Sequence, residues 1–179
     1  MKIMSHIDEK AKMESLNIAV LSVSDTRNSS DDRSGDVLEE RIKSAGHNLA
    51  KRDIVRDEIP EIRKKIVDWA ADPNVEIIIT TGGTGFTGRD VTPEAIEPLF
   101  DKRMDGFSAM FHKVSYETIG MVTIQSRATA GLINGTFVFC LPGSTGACKD
   151  AWDNILKGEL DSRQRPHNLV MLMPRLTER

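Results

Sequence analysis

VEIIITTGGTGFTGRDVTPEA, residues 75–95, is the stretch on which the fold turns. Its first seven residues form a continuous, β-branched apolar run between Pro73-Asn74 and Gly82-Gly83, which predicts a strand buried on both faces. Strands of that kind belong to mostly parallel sheets with helices on either side, because a strand with one wet face alternates apolar and polar residues. Further on, Thr92 is placed to cap a helix and Pro93 to open it, since proline's missing N–H and fixed φ suit a first turn. Between strand and helix lies a loop containing Gly82, Gly83, Gly85 and Gly88.

Outward from this centre, NIAVLSV (17–23) and TFVFCL (136–141) are further buried strands, and LAKRDIV (49–55) is a weaker one. Residues 24–35 form a polar loop. Residues 36–47 place Val37, Leu38 and Ile42 on one helical side and stop at Gly46, while 58–72 carry Ile59, Ile62, Ile66 and Trp69 at helical spacing. Helices are also expected over 93–100 and 148–161, and 105–134 is predicted as helical segments broken near Gly120. The alternation predicts an α/β fold: three layers, a mostly parallel sheet flanked by helices, in a single domain over 16–179. The polar, aperiodic residues 1–15 are expected to form a flexible arm. Ligands of such sheets bind beyond the carboxyl ends of the strands, where SVSDT (22–26), TTGGTG (80–85) and LPGSTGA (141–147) are expected to converge.

Charged residues at 28% and apolar residues at 39% fit an ordinary globular chain. A net charge of −3 gives no electrostatic case for nucleic acid or an anionic membrane, so a phosphate ligand must be held by local geometry. No signal-peptide pattern is present, and no run approaches the roughly 18 apolar residues that span a bilayer. Cys140 and Cys148 form neither a disulfide framework nor a zinc spacing, and the four histidines show no metal-ligand spacing; a cytoplasmic location is expected.

Gly83, Gly85 and Gly88 spell G-x-G-x-x-G, but a dinucleotide site places its third glycine at a helix start in the first βαβ unit. Here the helix signal comes four residues after Gly88, on the third strand, and no Gly-Lys-Ser/Thr follows to make a P-loop. What remains is an anion nest: successive glycines let backbone N–H groups approach phosphate, Thr84 can add a hydroxyl, and the Thr92-Pro93 helix start adds partial positive charge. Asp90 at the loop's exit repels phosphate unless a divalent cation lies between them; otherwise it is an ordinary turn carboxylate. Asp57, after the 49–55 strand, is the best-placed second acid, and by itself it reads equally as a first-turn acid before Pro60. Asp25 and Asp32 in the first loop are further candidates, or simply solvated.

GGTGFTGRDVTPEA, with SVSD and DRSG upstream and QSRA and LPGSTGA downstream, resembles the MoaB/MogA family of molybdenum cofactor biosynthesis proteins and the related gephyrin domain. The resemblance covers about residues 16–165. It implies a compact three-layer α/β domain assembling as a homotrimer or homohexamer. It further implies binding of molybdopterin and its adenylylation by ATP with Mg2+, releasing pyrophosphate, and transient contact with other molybdenum-cofactor enzymes. Carried onto this chain, the family's two catalytic, metal-holding acids fall on Asp57 and Asp90. Ser24, Asp32, Gly82, Gly83, Thr84, Gly85, Ser115, Ser126, Arg127, Pro142, Gly143 and Ser144 fall on substrate-binding positions. The polarity of Ser115, Ser126 and Arg127 would otherwise be taken for helix surface.

LPGSTGA is closer to MoaB members than to the LPGNP or LPGQP forms of MogA and gephyrin, and some MoaB members are regarded as inactive paralogs. Gly88 also replaces residues that are more often Pro or Arg. A non-catalytic molybdopterin carrier is therefore the alternative to the adenylyltransferase. A nicotinamide enzyme and generic nucleotide binding rank lower. Both cysteines read as small core residues without a partner histidine.

Overall fold

The computed structural model describes residues 6–178. In chain order its strands are β1 (His6–Ile7), β2 (Asn17–Val23), β3 (Asn48–Val55), β4 (Ile77–Thr81), β5 (Lys102–Arg103), β6 (Thr129–Ile133), β7 (Thr136–Leu141) and β8 (Gln164–Arg165). The helices are α1 (Arg33–Ser44), α2 (Ile59–Ala70), α3 (Thr92–Ile96), α4 (Asp105–Ile119), α5 (Thr145–Ala151) and α6 (Lys157–Glu159), the last two joined by a π-helical segment at Trp152–Leu156. A six-stranded sheet runs in the order β3-β2-β4-β7-β6-β5. β3, β2, β4 and β7 are parallel, β6 is antiparallel to β7, and β5 is antiparallel to β6. Of the arm expected over 1–15, residues 1–5 lie outside the described residues, and β1 pairs antiparallel with β8.

The central strands are buried on both faces, as their continuous apolar runs require. On one face Ile18, Val20, Ile77, Ile79, Phe137 and Phe139 pack with Leu38 and Ile42 of α1, Phe107 and Phe111 of α4, and Trp152. On the other, Ala19, Leu21, Ile78, Val138 and Cys140 meet Ile62, Ile66 and Trp69 of α2 and Ala95 and Ile96 of α3. Three layers result, with no described helix long and apolar enough to cross a membrane. β2 connects first to β3 on one side and then, through α2, to β4 on the other. That reversal makes the β2/β4 edge the switch point of the sheet, where loops part and leave a crevice.

The expectation of helical segments over 105–134, broken near Gly120, holds as far as Gln125 and is corrected beyond it. α4 stops at Gly120 (φ +62), a 3-10 segment covers Gly120–Gln125, and TAGLI becomes strand β6. Asn134 (φ +48) and Gly135 (φ +80) supply the tight turn into β7, and Asn-Gly is the residue pair that such a turn favours. A five-residue apolar run carries no period that separates strand from buried helix, so the turn was the usable signal. α1 also begins earlier than residue 36, because Asp32 caps it by accepting from Gly35 N at 3.0 Å. Thr92 is not the cap of α3: Val91 holds that position, and the Thr92 hydroxyl donates to Gly82 O at 2.8 Å.

His47, buried beside Trp152 (ring centroids 6.4 Å apart), accepts the Leu16 N–H on Nδ1 at 3.1 Å. A ring nitrogen that accepts must be unprotonated, and burial holds this imidazole below the ordinary value of 6.5, against a smaller opposing pull from Asp161. Its stabilising effect is complete above the unfolded value and is lost as pH falls from 6.5 through the folded one. Unfolding free energy measured between pH 7 and pH 5 should therefore decline, and His47→Gln should flatten that slope.

Candidate active site

The loops after β2, β3, β4 and β7 meet at the carboxyl edge, and the glycines decide how closely. Gly82 has φ +109, and a Cβ there would stand 2.2 Å from Val23 O at the end of β2. A Cβ on Gly143 would lie 3.2 Å from Gly82 Cα, so the closing loop also packs directly on this turn. Gly82 N donates to Leu141 O at 3.0 Å and Thr92 N to Gly83 O at 2.9 Å, fixing the loop to β7 and to the start of α3. Among the described residues no acceptor takes the N–H of Gly83 or Thr84. Two successive unpaired donors following the positive-φ Gly82, the first on Gly83 (φ +64), are the makings of an anion nest.

Both acids rest on this loop. A Cβ on Gly83 would come within 2.4 Å of Thr92 Oγ1 and 2.8 Å of Asp57 Oδ1, and one on Gly85 within 2.8 Å of Asp90 Oδ2. The two carboxylates thus fill the space vacated by alternate glycines, whereas a Cβ on Gly88 would meet nothing within 4 Å. Their environments differ. Asp90 accepts from Thr87 N at 2.8 Å and Thr87 Oγ1 at 2.6 Å, and these bonds bring it below the ordinary carboxylate value despite burial. Asp57 is pushed up by burial and by the charges of Asp25 and Asp90, with the Asp25 backbone N–H and Arg89 acting the other way. No side-chain donor among the described residues reaches its carboxylate.

A half-buried carboxylate crowded by two others is chemically suited to a divalent cation. No group of three or more metal-ligating side chains occurs among the described residues, which leaves an acid pair rather than a closed cage. Magnesium commonly takes one or two carboxylates and completes its shell with water and substrate phosphate, so the pair fits that ion.

The other expected residues divide. Ser24, Thr84, Pro142, Gly143 and Ser144 come to the same edge. Ser24 N donates to Val55 O at 2.9 Å, and its hydroxyl accepts from Arg27 N at 3.2 Å. Gly143 O accepts from Arg27 Nη2 at 2.9 Å and Ser34 Oγ at 2.7 Å, Pro142 O accepts from Thr81 Oγ1 at 2.9 Å, and Ser144 caps α5 through Ala147 N at 3.1 Å. Thr84 is 3% exposed. Ser115 is equally buried on α4, and the Ser126 hydroxyl is buried with no partner among the described residues. Asp32 is held within the protein: at 0% exposure it accepts from Ser22 Oγ, Gly35 N and Arg52. Arg127 faces the loop. Its Nε donates to Gly85 O at 2.8 Å, Nη2 to Asp90 O at 2.9 Å and Nη1 to Glu94, and Phe86 covers its face at 5.2 Å. It braces the nest from behind.

Sequence reasoning did not single out Arg89, which binds Asp25 through Nε (2.8 Å) and Nη2 (3.0 Å) and Glu58 through Nη2 (2.9 Å). No local pattern marks a contact between residues this far apart in the chain.

The chain that carries this site has relatives among known proteins. Residues 19–162 match the family model described as "Probable molybdopterin binding domain". The chain belongs to this molybdopterin-binding family of molybdenum cofactor biosynthesis proteins. It is 45% identical to molybdenum cofactor biosynthesis protein B of Escherichia coli K12 over 151 residues, 84% of this chain and 89% of the relative. With the Bacillus subtilis protein of the same name it shares 43% over 142 residues, 79% and 84% of the two chains. A crystal structure of a molybdenum cofactor biosynthesis protein B superposes with TM-score 0.83 at 34% identity, covering 93% and 98%. The tungsten cofactor synthesizing protein MoaB of Pyrococcus furiosus superposes with TM-score 0.71 at 36% identity, covering 80% and 91%. The family and the three-layer fold expected from GGTG, RDVTPEA, QSRA and LPGSTGA are those found.

Proposed function

We propose that this chain adenylylates molybdopterin: the terminal phosphate oxygen of molybdopterin attacks the α-phosphorus of ATP, a new P–O bond forms, and pyrophosphate leaves with the electrons of the broken one. The observation that supports it is the pair Asp57 and Asp90 resting on alternate glycines beside two unpaired backbone donors. Asp57 and Asp90 would hold magnesium, which when bound offsets phosphate charge. The N–H groups of Gly83 and Thr84 donate to phosphate oxygens, and the Arg127 brace keeps those donors aimed. Positioning of two phosphates in line carries most of the rate, because phosphoryl chemistry demands little covalent help from a protein.

Purified protein given molybdopterin, ATP and magnesium should release pyrophosphate and form adenylyl-molybdopterin, and chelation should stop both. Absence of turnover with loaded substrate would sink the enzyme. The carrier reading has its own support in the closing loop, whose Gly143 carbonyl and Ser144 hydroxyl are committed to protein partners. Molybdopterin binding indifferent to magnesium and to both acids would favour it.

We place the reaction in the cytoplasm, in a homotrimer or homohexamer that passes its product to other molybdenum-cofactor enzymes. Tyr116, Ile119, Met121, Val122 and Ile124 expose an apolar strip along the end of α4 and the 3-10 segment, which supports self-association. Light scattering on the same preparation reads the assembly.

A further inference from the structure

Resting on the enzymatic reading above, we propose that Arg89 is a positioning residue: it clasps the loops after β2, β3 and β4 together and so sets the separation of Asp57 and Asp90. The two acids come from different loops, and no direct bond joins their side chains among the described residues. Their spacing must be held by something else. Arg89 directly precedes Asp90 on the β4 loop, and its guanidinium grips Asp25 of the β2 loop through two nitrogens. The same Asp25 Oδ1 accepts the Asp57 N–H at 3.3 Å. Glu58, adjoining Asp57, takes the Arg89 Nη2 at 2.9 Å. Each acid is therefore one residue from a group in the clasp.

This geometry assigns Arg89 a different task from Arg127. Arg127 is three-quarters buried and braces the nest internally, whereas the Arg89 side chain is 55% exposed and spans between loops. Exposed ion pairs add little to folding free energy, so the clasp matters for geometry rather than stability. A planar guanidinium holds a carboxylate at two points and limits its rotation, which an ammonium cannot do. Groups that orient metal-holding side chains typically change metal affinity or activity by about 10–100-fold when removed.

The test compares Arg89→Gln, Arg89→Lys, Asp25→Asn and the Arg89→Gln/Asp25→Asn double variant with wild type. In the first arm, manganese with a non-hydrolysable ATP analogue is titrated by electron paramagnetic resonance, and the magnesium dependence of turnover is recorded. In the second, amide exchange is followed over residues 56–58 without any ligand. Arg89→Gln should weaken manganese binding about tenfold, speed exchange over 56–58 and leave the melting temperature nearly unchanged. Asp25→Asn should reproduce those effects, the double variant should be no worse than either, and lysine should rescue only part. Unaltered exchange and metal dependence would overturn the clasp. So would a rise confined to KM for ATP at saturating metal, which would make Arg89 a substrate ligand. Should wild type show no adenylyl transfer, the ligand-free exchange arm still decides the clasp, so the two failures are told apart.

Discussion

Asp57→Asn should lower adenylyl transfer by about a hundredfold or more while raising the melting temperature of the ligand-free protein. The activity loss follows from removing one of the two charges that would hold magnesium against phosphate. The gain in stability follows from linkage. Burial, then Asp25 and Asp90, lift the Asp57 carboxyl above the ordinary 3.8. A carboxyl raised in the folded state stabilises the fold only at low pH, and that effect disappears as pH rises through the folded value. At neutral pH the ionised group works against the fold, and asparagine removes the charge without removing the shape. Asp90→Asn should be equally inactive but not stabilised. Its folded value is lowered by the Thr87 bonds against the pull of burial, so its charge supports the fold above 3.8 and that support is lost in acid. Thermal unfolding of both variants at neutral pH, with and without magnesium and nucleotide, tests the contrast. Equal shifts for the two would contradict it.

Asp32→Ala should cost about 3–5 kcal/mol of folding free energy, the second large effect. The carboxylate is fully buried and serves three partners: the Ser22 hydroxyl at 2.7 Å, the first-turn Gly35 N–H at 3.0 Å, and Arg52 at 3.0 Å. Alanine would remove a helix cap and strand the Ser22 hydroxyl inside the protein. Arg52 would keep Asp36 and Glu39, which limits the damage on that side. Asp32→Asn preserves the cap and should lose less. Denaturant unfolding at fixed protein concentration measures both, and a change below 1 kcal/mol for alanine, roughly what a lone cap contributes, would contradict the role.

The layers and the nest were legible because they are written in local pattern: the continuous apolar run at 77–81, the glycines after it, and proline at the start of α3. β6 was not, since Thr129–Ile133 is too short to show a period, although Asn134-Gly135 was there to be used. The inward turn of Arg127, the burial of Asp32 and the Arg89 clasp were also invisible. Each depends on a partner distant in sequence, and a charged side chain's spelling does not tell whether it will meet solvent, ligand or another loop. Asp32 shows the limit well: a polar loop predicts a wet carboxylate, while the fold spends it on a cap and a buried ion pair.

The glycines of the loop are not equivalent, and the difference bears on engineering. Gly82 makes way for the backbone of β2, Gly83 for Thr92 and Asp57, and Gly85 for Asp90, so enlarging any of them moves a strand end, the start of α3 or an acid. Gly88 makes way for nothing. It is the place where the loop tolerates stiffening: alanine there would narrow the unfolded ensemble without displacing a neighbouring atom. The same fact removes the last support for the G-x-G-x-x-G spelling, since the third glycine has no close packing to permit. Two letters of that spelling house the acids, and the third is spare room.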